Sequence, residues 1–429
     1  MSDERFDVII VGGGVAGSAA AYVLAKAGME VLVVERGSTC GAKNMTGGRL
    51  YGHSLEKLIP GFADEAPVER RIAKERLSFA TAQGAVTLEF GSEKLEDPAY
   101  ASYTVLRNKF DPWLAEKAET EGAMYVCGIR VDDLIVRDGK VCGVVAAGEE
   151  MESDVVILAD GVNSLLAQKL GMKKELDPSE VAVGVKEVIK LDEQTISDRF
   201  GVEPGEGVAW MIDGHVTGGN IGGGCIYTDK EHVSIGIVTT VGDIGYSDVS
   251  VPEMVDRLKE HPLISPLIEG GKMAEYSAHL VTEGGYHMIP ELYRDGVLVV
   301  GDAAAFVINM LYTVRGMDFA IESGRLAAET IIKAKEAGDF SKAALSAYKT
   351  AVDNSFIMRD LEQYKKVPAF MERHRLFTEM PAFLEEVMEG LYLVDGNPPK
   401  KLTKKIMGAV KQYGMKNLAG DAIKALGAL

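Results

Sequence analysis

Three glycines near the start of the chain form the pattern with the clearest chemistry. Gly12, Gly14 and Gly17 follow the apolar run VIIV and precede an alanine-rich segment that is typical of a closely packed helix. In a GxGxxG turn the first glycine makes the bend, the second lets a pyrophosphate approach the backbone, and the third lets helix and strand pack closely. The helix start, at Val15 and Ala16, offers free amide donors and a partial positive charge. The pattern therefore predicts a phosphate site.

An acidic residue at the end of the next apolar run narrows the class of ligand. Glu35 lies 23 residues after Gly12 and ends the run VLVVE. A carboxylate at this place accepts hydrogen bonds from an adenosine ribose and repels a 2′-phosphate. Residues 6–36 therefore predict a strand, glycine turn, helix and strand that bind a dinucleotide at the edge of a parallel sheet.

A second pattern that predicts contact with the dinucleotide lies much later in the chain. Gly301 and Asp302 end the apolar run GVLVV, and a helix is predicted to begin near Gly316 and Met317. This order resembles the second FAD contact of the glutathione-reductase-like flavoproteins, where such an aspartate meets the ribityl chain or pyrophosphate. The resemblance implies that Asp302 holds the polar tail of FAD while the helix start at Gly316 faces the flavin ring. A buried strand, turn and helix with a capping aspartate is the alternative.

The elements around these residues predict an α/β fold in three parts. Continuous apolar runs indicate parallel strands near both signals, alternating segments between them indicate antiparallel strands, and the pattern after about residue 340 is helical. We expect a glutathione-reductase-like FAD-binding Rossmann domain, an inserted antiparallel β-sheet domain and a helical C-terminal region. Their predicted ranges are, in that order, 1–74, 104–180 and 291–340; 75–103 and 181–290; and 341–429.

Two segments receive local predictions. The stretch 108–122 is predicted to be a helix in which Asp111 and Pro112 form the cap and first turn. The stretch GGNIGGGC at 218–225 lies between strand-like segments and is predicted to be a loop. It does not follow the strand–GxGxxG–helix order, so we expect no nicotinamide dinucleotide site on this chain.

Composition disfavours several other function classes. The net charge of −18 over 429 residues disfavours binding of nucleic acid. The four cysteines are scattered without a CxxC pair, which argues against a metal or iron–sulfur site within the chain. No secretory signal is visible at the N-terminus, and charged or polar residues interrupt the longest apolar run, so no membrane span is expected. We expect a cytoplasmic protein and leave contact with the inner face of the cell membrane open.

Five longer segments resemble the family of FixC proteins and electron-transfer-flavoprotein:quinone oxidoreductases, and more distantly geranylgeranyl reductases. The resemblance covers nearly the whole chain. The most specific segments are 41–62, 102–114, 158–171, 182–191 and 301–321. The resemblance implies FAD as the cofactor and an oxidoreductase that needs little acid–base chemistry from side chains.

The resemblance also assigns roles to further residues of the cofactor site. Arg36 joins Glu35 at the adenosine end, Arg107 faces the phosphates or adenine, and Asp160 with Gly161 closes the pocket. The loop beside the flavin contains Lys43, Asn44, Thr46 and Gly47. A surface salt bridge is the alternative for Arg107, and a plain turn is the alternative for Asp160 and Gly161. We name no catalytic side chain, and we expect His53, near the flavin loop, to be an ordinary structural residue.

The implied function is electron transfer between proteins. FAD on this chain would take electrons from an electron-transfer flavoprotein of alpha and beta subunits and pass them to quinone, to a ferredoxin-like partner, or to both, within a bifurcating complex. No cysteine follows Cys225, so any iron–sulfur cluster is expected on a separate small subunit. The alternatives are a self-contained polyprenyl reductase, a flavin monooxygenase and a non-enzymatic scaffold.

Two segments bear on the acceptor side. The apolar stretch 303–314 is predicted either to pack in the core or to line a slot for a quinone tail. The basic C-terminus from Lys400 places Leu402, Ile406, Val410 and Tyr413 roughly on one helical face. This face is expected to dock on an anionic membrane or an acidic partner, or else to pack as a solvated tail.

Overall fold

The computed structural model describes residues 5–398 and 401–428, which form two large sheets with helices around them. The strands are, in chain order, β1 (Arg5–Val11), β2 (Val31–Glu35), β3 (Gly48–Tyr51), β4 (Val68–Ala80), β5 (Ala85–Gly91), β6 (Ser102–Val105), β7 (Met124–Cys127), β8 (Val131–Arg137), β9 (Lys140–Ala146), β10 (Glu149–Leu158), β11 (Val181–Lys190), β12 (Glu206–Gly214), β13 (Gly222–Thr228), β14 (His232–Thr240), β15 (Lys272–Thr282), β16 (Tyr293–Arg294), β17 (Val297–Val299), β18 (Ile308–Asn309) and β19 (Val314–Arg315). The helices are α1 (Val15–Lys26), α2 (His53–Leu58), α3 (Arg107–Thr120), α4 (Leu165–Lys169), α5 (Glu193–Phe200), α6 (Val251–Glu260), α7 (Ser265–Ile268), α8 (Met317–Ala337), α9 (Lys342–Asp353), α10 (Phe356–Gln363), α11 (Val367–Met371), α12 (Glu379–Tyr392), α13 (Leu402–Tyr413) and α14 (Met415–Ala428).

The first sheet is built on parallel strands that are buried on both faces. Its order is β16-β17-β10-β1-β2-β7, in which β17, β10, β1, β2 and β7 run parallel and β16 is antiparallel at one edge. The hairpin of β8 and β9 joins β10 through antiparallel pairing. The apolar residues of β1 and β2 lie in the main core. The predicted strand, turn, helix and strand over 6–36 are therefore confirmed as β1, α1 and β2.

The second sheet forms a layer of nine strands. Its order is β15-β11-β14-β13-β12-β4-β6-β3, with β5 paired to β4. Its neighbouring strands are antiparallel except for β4 and β12, which pair in parallel. The strands at 48–51 and 68–80 belong to this sheet, so the sheet extends beyond the ranges predicted for it. The division of the chain into three domains stays a prediction.

The glycine-rich stretch 218–225 is only partly a loop, and the prediction was wrong from Gly222 onward. Strand β13 begins at Gly222 and pairs with β12 on one side and β14 on the other. A side chain at Gly223 would approach the Oδ1 atom of Asp213 to 2.7 Å, and one at Gly224 would approach Leu258 to 3.0 Å. At these two strand positions the residue is glycine because neighbouring groups fill the space that a side chain would occupy. A single-sequence pattern does not reveal this packing.

Helix α3 begins earlier than predicted. It starts at Arg107, and Pro112 lies inside it. Asp111 is fully buried and accepts hydrogen bonds from Arg107, so it does not cap the helix as predicted. Phe110 and Leu114 of the same helix are buried in the core, and this packing outweighs the hydrogen bond that the proline cannot donate.

The C-terminal helices pack partly against the second sheet. The side chain of Thr81, just after β4, donates a hydrogen bond of 2.9 Å to Glu385 of α12. On the helical face predicted for the basic C-terminus, Leu402 is 51% exposed whereas Tyr413 is buried and donates a hydrogen bond to Asp421. The face is thus exposed at one end and packed at the other. In the described part of the chain, no helix has an apolar run long enough to cross a bilayer.

Helices α1 and α8 approach so closely that one helix needs a glycine. A side chain at Gly324 of α8 would lie 2.2 Å from the carbonyl oxygen of Ala16. We expect Gly324→Ala to lower the free energy of unfolding by about 1–3 kcal/mol, because the backbone of α1 must move. Thermal unfolding of the purified variants measures this loss. Gly420→Ala in α14, where the added methyl group meets nothing within 4 Å, is the matched control and keeps or raises the unfolding temperature. Equal unfolding temperatures for the two variants would contradict the proposed close contact.

Candidate functional site

A long cleft runs along the carboxyl ends of the parallel strands and under the second sheet. It consists of two connected cavities of about 380 Å³ and about 320 Å³. The two cavities have six lining residues in common: Gly14, Asn44, Ala159, Gly161, His279 and Asp302. Ligands of open α/β sheets bind at this edge, where the strand order reverses. The shared lining makes the two cavities one site for an elongated ligand.

The three glycines of the turn have three different environments. Gly12 has φ of 104°, and a side chain there would lie 2.3 Å from the carbonyl oxygen of Ala159. A side chain at Gly17 would lie 2.0 Å from the carbonyl oxygen of Gly12. At Gly14 the nearest atom is the Nδ2 atom of Asn44, at 3.8 Å, so this position faces open space in the cleft. The space over Gly14 fits a phosphate approaching the start of α1.

A buried ion pair places a guanidinium over this space. Arg107 donates hydrogen bonds of 2.6 Å and 2.8 Å to the two carboxylate oxygens of Asp111, one turn later in α3. Asn44 donates a third hydrogen bond of 2.7 Å to the same carboxylate. A side chain at Gly14 would lie 4.0 Å from the Nη2 atom of Arg107. The single carboxylate therefore orients both donors toward the phosphate position.

The cavity of about 380 Å³ contains the residues predicted for the adenosine end. Glu35 accepts hydrogen bonds from the backbone amides of Gly13 at 2.8 Å and Gly37 at 2.5 Å, which fix its carboxylate. Arg36 lines the same cavity, and so does Lys43, which was predicted for the loop beside the flavin. The sequence did not single out three further charged lining residues, Arg130, Asp132 and Lys169.

Two partly buried carboxyl groups, those of Asp160 and Asp302, line the cleft. Asp160 lines the cavity of about 380 Å³, and its Oδ1 atom has no hydrogen-bond partner among the described residues. Burial raises the pKa of Asp160 to about 6. Burial also raises the pKa of Asp302, against the opposing charge of Arg107. Nearby Lys173 donates hydrogen bonds of 3.1 Å to the carbonyl oxygens of Val162 and Ala303. Carboxyl groups with free acceptor capacity fit the hydroxyl groups of a ribityl chain.

The other cavity, of about 320 Å³, contains the residues predicted for the flavin end. Gly316 and Met317, at the start of α8, line it together with Asn44 and Gly47. Lys186 of β11 donates a hydrogen bond to the carbonyl oxygen of Gly47 and holds the loop against the second sheet. The start of a helix of this length directs amide donors and partial positive charge into the cavity.

Three predicted site residues lie beside the cleft and do not line it. They are Gly17, Thr46 and Gly301. Gly17 packs against Gly12, and Gly301 donates a backbone hydrogen bond of 3.0 Å to Ser323. His53 likewise does not line the cleft, and its Nε2 atom lies 3.2 Å from a carboxylate oxygen of Asp318. Contacts of all the predicted residues with a cofactor stay predictions.

The face of the second sheet that covers the cleft was missed by the sequence predictions. It contributes Lys186, Met211, Asp213, Tyr227 and His279 to the lining. The period-2 pattern of β11, β12 and β13 could have shown which residues share a face. It could not show that this face lies over the nucleotide site, because that requires the packing of the two sheets.

The donor set fits FAD and gives no sign of a metal centre. An open glycine, a helix start and an oriented arginine would suit a diphosphate, and carboxyl groups with free acceptor atoms would suit sugar hydroxyls. In the described residues, no group of three or more histidine, cysteine, aspartate or glutamate side chains could hold a metal ion. A parallel sheet with this cleft and a covering second sheet defines the class of FAD-dependent oxidoreductases.

Comparisons with known proteins agree with this class and narrow it. Residues 5–351 match a family described as FAD binding domain, and residues 367–429 match the ETF-QO/FixC family C-terminal domain. The chain is 52% identical, over 100% of both chains, to the probable electron transfer flavoprotein-quinone oxidoreductase YdiS of Escherichia coli (strain K12). It is 40% identical to the FixC protein of Azotobacter vinelandii, over 98% of both chains. The chain belongs to the ETF-QO/FixC family, and it is an FAD-dependent oxidoreductase.

Solved structures confirm the fold. A geranylgeranyl bacteriochlorophyll reductase-like protein from Thermoplasma acidophilum aligns with a TM-score of 0.71 at 20% identity, covering 98% of this chain and 99% of that one. A flavoprotein/dehydrogenase from Cytophaga hutchinsonii aligns with a TM-score of 0.65 at 17% identity, covering 99% and 100%. At these identities the likeness concerns the fold alone, and the predicted glutathione-reductase-like fold class is confirmed.

Removing the guanidinium of Arg107 tests its role at the phosphate position. We expect Arg107→Leu to weaken FAD binding by about 10- to 100-fold, the size of one or two lost charge-assisted hydrogen bonds. Titration of FAD-free protein with FAD, followed by flavin fluorescence, measures the dissociation constant. The matched control is Arg137→Leu. It removes an exposed arginine of β8 that pairs with Glu152 of β10. Unchanged affinity for FAD in Arg107→Leu would show that Arg107 only pairs with Asp111 within α3 and does not contribute to cofactor binding.

The raised pKa of Asp160 predicts a pH-dependent stability of the FAD-free protein. Since the folded chain holds this proton more tightly than the unfolded chain, the contribution of Asp160 to stability falls as pH rises from about 4 to about 6. Asp160→Asn removes the titration. We expect the unfolding temperature of the wild type, minus that of Asp160→Asn, to decrease over this pH interval in thermal scans. A difference that stays constant with pH contradicts the assigned pKa.

Proposed function

We propose that this chain takes electrons from an electron-transfer flavoprotein and passes them to a quinone, to a ferredoxin-like partner, or to both. The observation that carries the proposal is that the cavity of about 320 Å³ is lined by apolar side chains of the second sheet and of the stretch 303–314 in addition to the residues predicted for the flavin. The name of the relative that is 52% identical over its whole length supports the same donor and acceptor.

We call one part of the cavity of about 320 Å³ the apolar end. Its lining residues are Met211, Ile221, Leu311, Val314 and Met371. Within the stretch 303–314, the residues from Ala303 to Phe306 are fully buried in the core, whereas Val307, Leu311 and Val314 line the cleft. The stretch is therefore partly in the core and partly at the cleft, and we propose that its second part lines a slot for a quinone tail. An uncharged acceptor with an apolar body suits this end of the cleft.

The residues of the chain position the cofactor and set its electrostatic surroundings. FAD supplies one- and two-electron chemistry when it is bound. The amide donors at Gly316 and Met317 favour negative charge at the neighbouring ring edge. Lys186 adds a positive charge on the opposite side, where its Nζ atom lies 4.9 Å from the centre of the Tyr227 ring. These groups would raise the tendency of the bound flavin to accept electrons.

The C-terminal helices support contact with further partners. Exposed apolar side chains of α13 and α14, among them Met407, Met415, Ile423 and Leu426, stand beside several lysines. Such a surface suits peripheral contact with an anionic membrane or an acidic subunit. We propose assembly with both subunits of an electron-transfer flavoprotein and with a small ferredoxin-like subunit that holds an iron–sulfur cluster. Within that assembly the chain would take part in electron bifurcation.

Anaerobic titration of the FAD-loaded chain tests the donor. We expect the reduced electron-transfer flavoprotein of the same organism to bleach the visible flavin absorbance of the chain stoichiometrically, and added quinone to restore it. NADPH without the flavoprotein is the control and gives no rapid bleaching. Rapid, stoichiometric reduction by NADPH alone would falsify the proposal. Saturation of isoprenoid double bonds by the reduced chain would favour a polyprenyl reductase instead.

A further inference from the structure

One row of residues crosses five strands of the second sheet above the cleft. The row follows from the strand register: His279 of β15 lies opposite Gly184 of β11, which lies opposite Val238 of β14, and the row continues through Gly223 of β13 to Asp213 of β12. Residues opposite each other in register share a face of the sheet. Four spacings between strands separate the two ends by about 19 Å.

The two ends of the row meet different parts of the cleft. His279 lines both cavities, beside Asp302, and so marks the place where the cofactor tail would enter. Asp213 lines only the cavity of about 320 Å³, together with the apolar residues Met211 and Ile221. Asp213 thus lies at the opposite end of the row from His279, about 19 Å away along the sheet.

The surroundings of Asp213 leave its carboxyl group without a partner. Its residue is only 5% exposed, and its Oδ2 atom has no hydrogen-bond partner among the described residues. The position of its Oδ1 atom depends on Gly223, where a side chain would approach to 2.7 Å. Burial raises the pKa of Asp213 well above its ordinary value, which favours the protonated carboxyl group. A buried polar group without a partner is costly and marks a candidate ligand contact.

Two other charged groups of this cavity, Lys186 and Glu283, already have hydrogen-bond partners. Lys186 donates its hydrogen bond to the loop at Gly47. Glu283 lies 3.5 Å from the amide nitrogen of Asn309 and accepts a hydrogen bond from it. The Oδ2 atom of Asp213 has no such partner, so its carboxyl group is available to a ligand in the apolar end. Because its neighbours there are apolar, the ligand it suits carries a neutral oxygen acceptor on an uncharged body.

We propose that Asp213 donates a hydrogen bond to a carbonyl oxygen of the electron acceptor and so selects an uncharged ring carbonyl compound in the apolar end of the cleft. The inference rests on the proposed function, because it identifies how this chain recognises its quinone. Asp213 acts here as a binding residue, and Gly223 is a positioning residue that leaves room for its carboxyl group.

Paired ligands separate the hydrogen bond from apolar packing. Duroquinone and durene have the same tetramethyl ring, and only duroquinone carries carbonyl oxygens. Equilibrium dialysis of each compound against the oxidised, FAD-loaded chain gives its dissociation constant. We expect the wild type to prefer duroquinone, and Asp213→Leu to bind duroquinone about tenfold more weakly while binding durene as well as the wild type does. Asp213→Asn keeps a donor and keeps most of the preference.

The control variant is Asp229→Asn. Asp229 is a buried carboxyl group near the same sheet that accepts a hydrogen bond of 2.6 Å from Ser234 and does not line the cleft. This variant keeps the preference for duroquinone. A wild type without preference for duroquinone, or an Asp213→Leu variant that retains it, overturns the inference. The titration with the electron-transfer flavoprotein tests the electron donor separately. A negative result in either experiment therefore does not decide the outcome of the other.

Discussion

The close approach of backbone segments around the start of α1 is the constraint on which the rest of the structure depends. Gly17 lets α1 pack on the turn at Gly12, and Gly324 lets α8 pack on the carbonyl oxygen of Ala16. Because both contacts are between backbones, α1 is fixed with its first amides at the edge of the parallel sheet. The same packing places the start of α8 at the other end of the cleft, so the two helix starts are arranged as one unit.

Buried charge around the cleft is balanced by a small number of oriented groups. Asp111 holds both Arg107 and Asn44, and Lys173 lies near Asp160 and Asp302. A buried charge is costly unless it is paired, so these carboxyl groups are expected where a ligand completes the pairing. The site thus binds its cofactor with groups that are already in position, and the cost of ordering them is met when the chain folds.

The second sheet determines the shape of the cleft more than the glycine turn does. Its covering face combines the small residue Gly223 with the larger residues Met211 and Tyr227, and all three line the cleft. An arrangement of this kind allows related folds to hold the same cofactor while the covering sheet sets which second molecule can enter.

The sequence by itself determined the glycine turn between β1 and α1 and the acidic residue that ends β2, because each depends on residues that are close in the chain. The contact of Asp302 with the cofactor stays a prediction. The sequence also determined the α/β fold class, since apolar runs and alternating runs distinguish buried parallel strands from half-exposed antiparallel ones. Only the tertiary structure decided that Asp111 orients Arg107, that Gly222 begins a strand, and that Asp213 faces the cleft. The first feature depends on α3 beginning at Arg107, so that Asp111 lies one turn later and is buried. The second depends on pairing with β12 and β14, and the third on the packing of the second sheet over the cleft, neither of which the local pattern reveals.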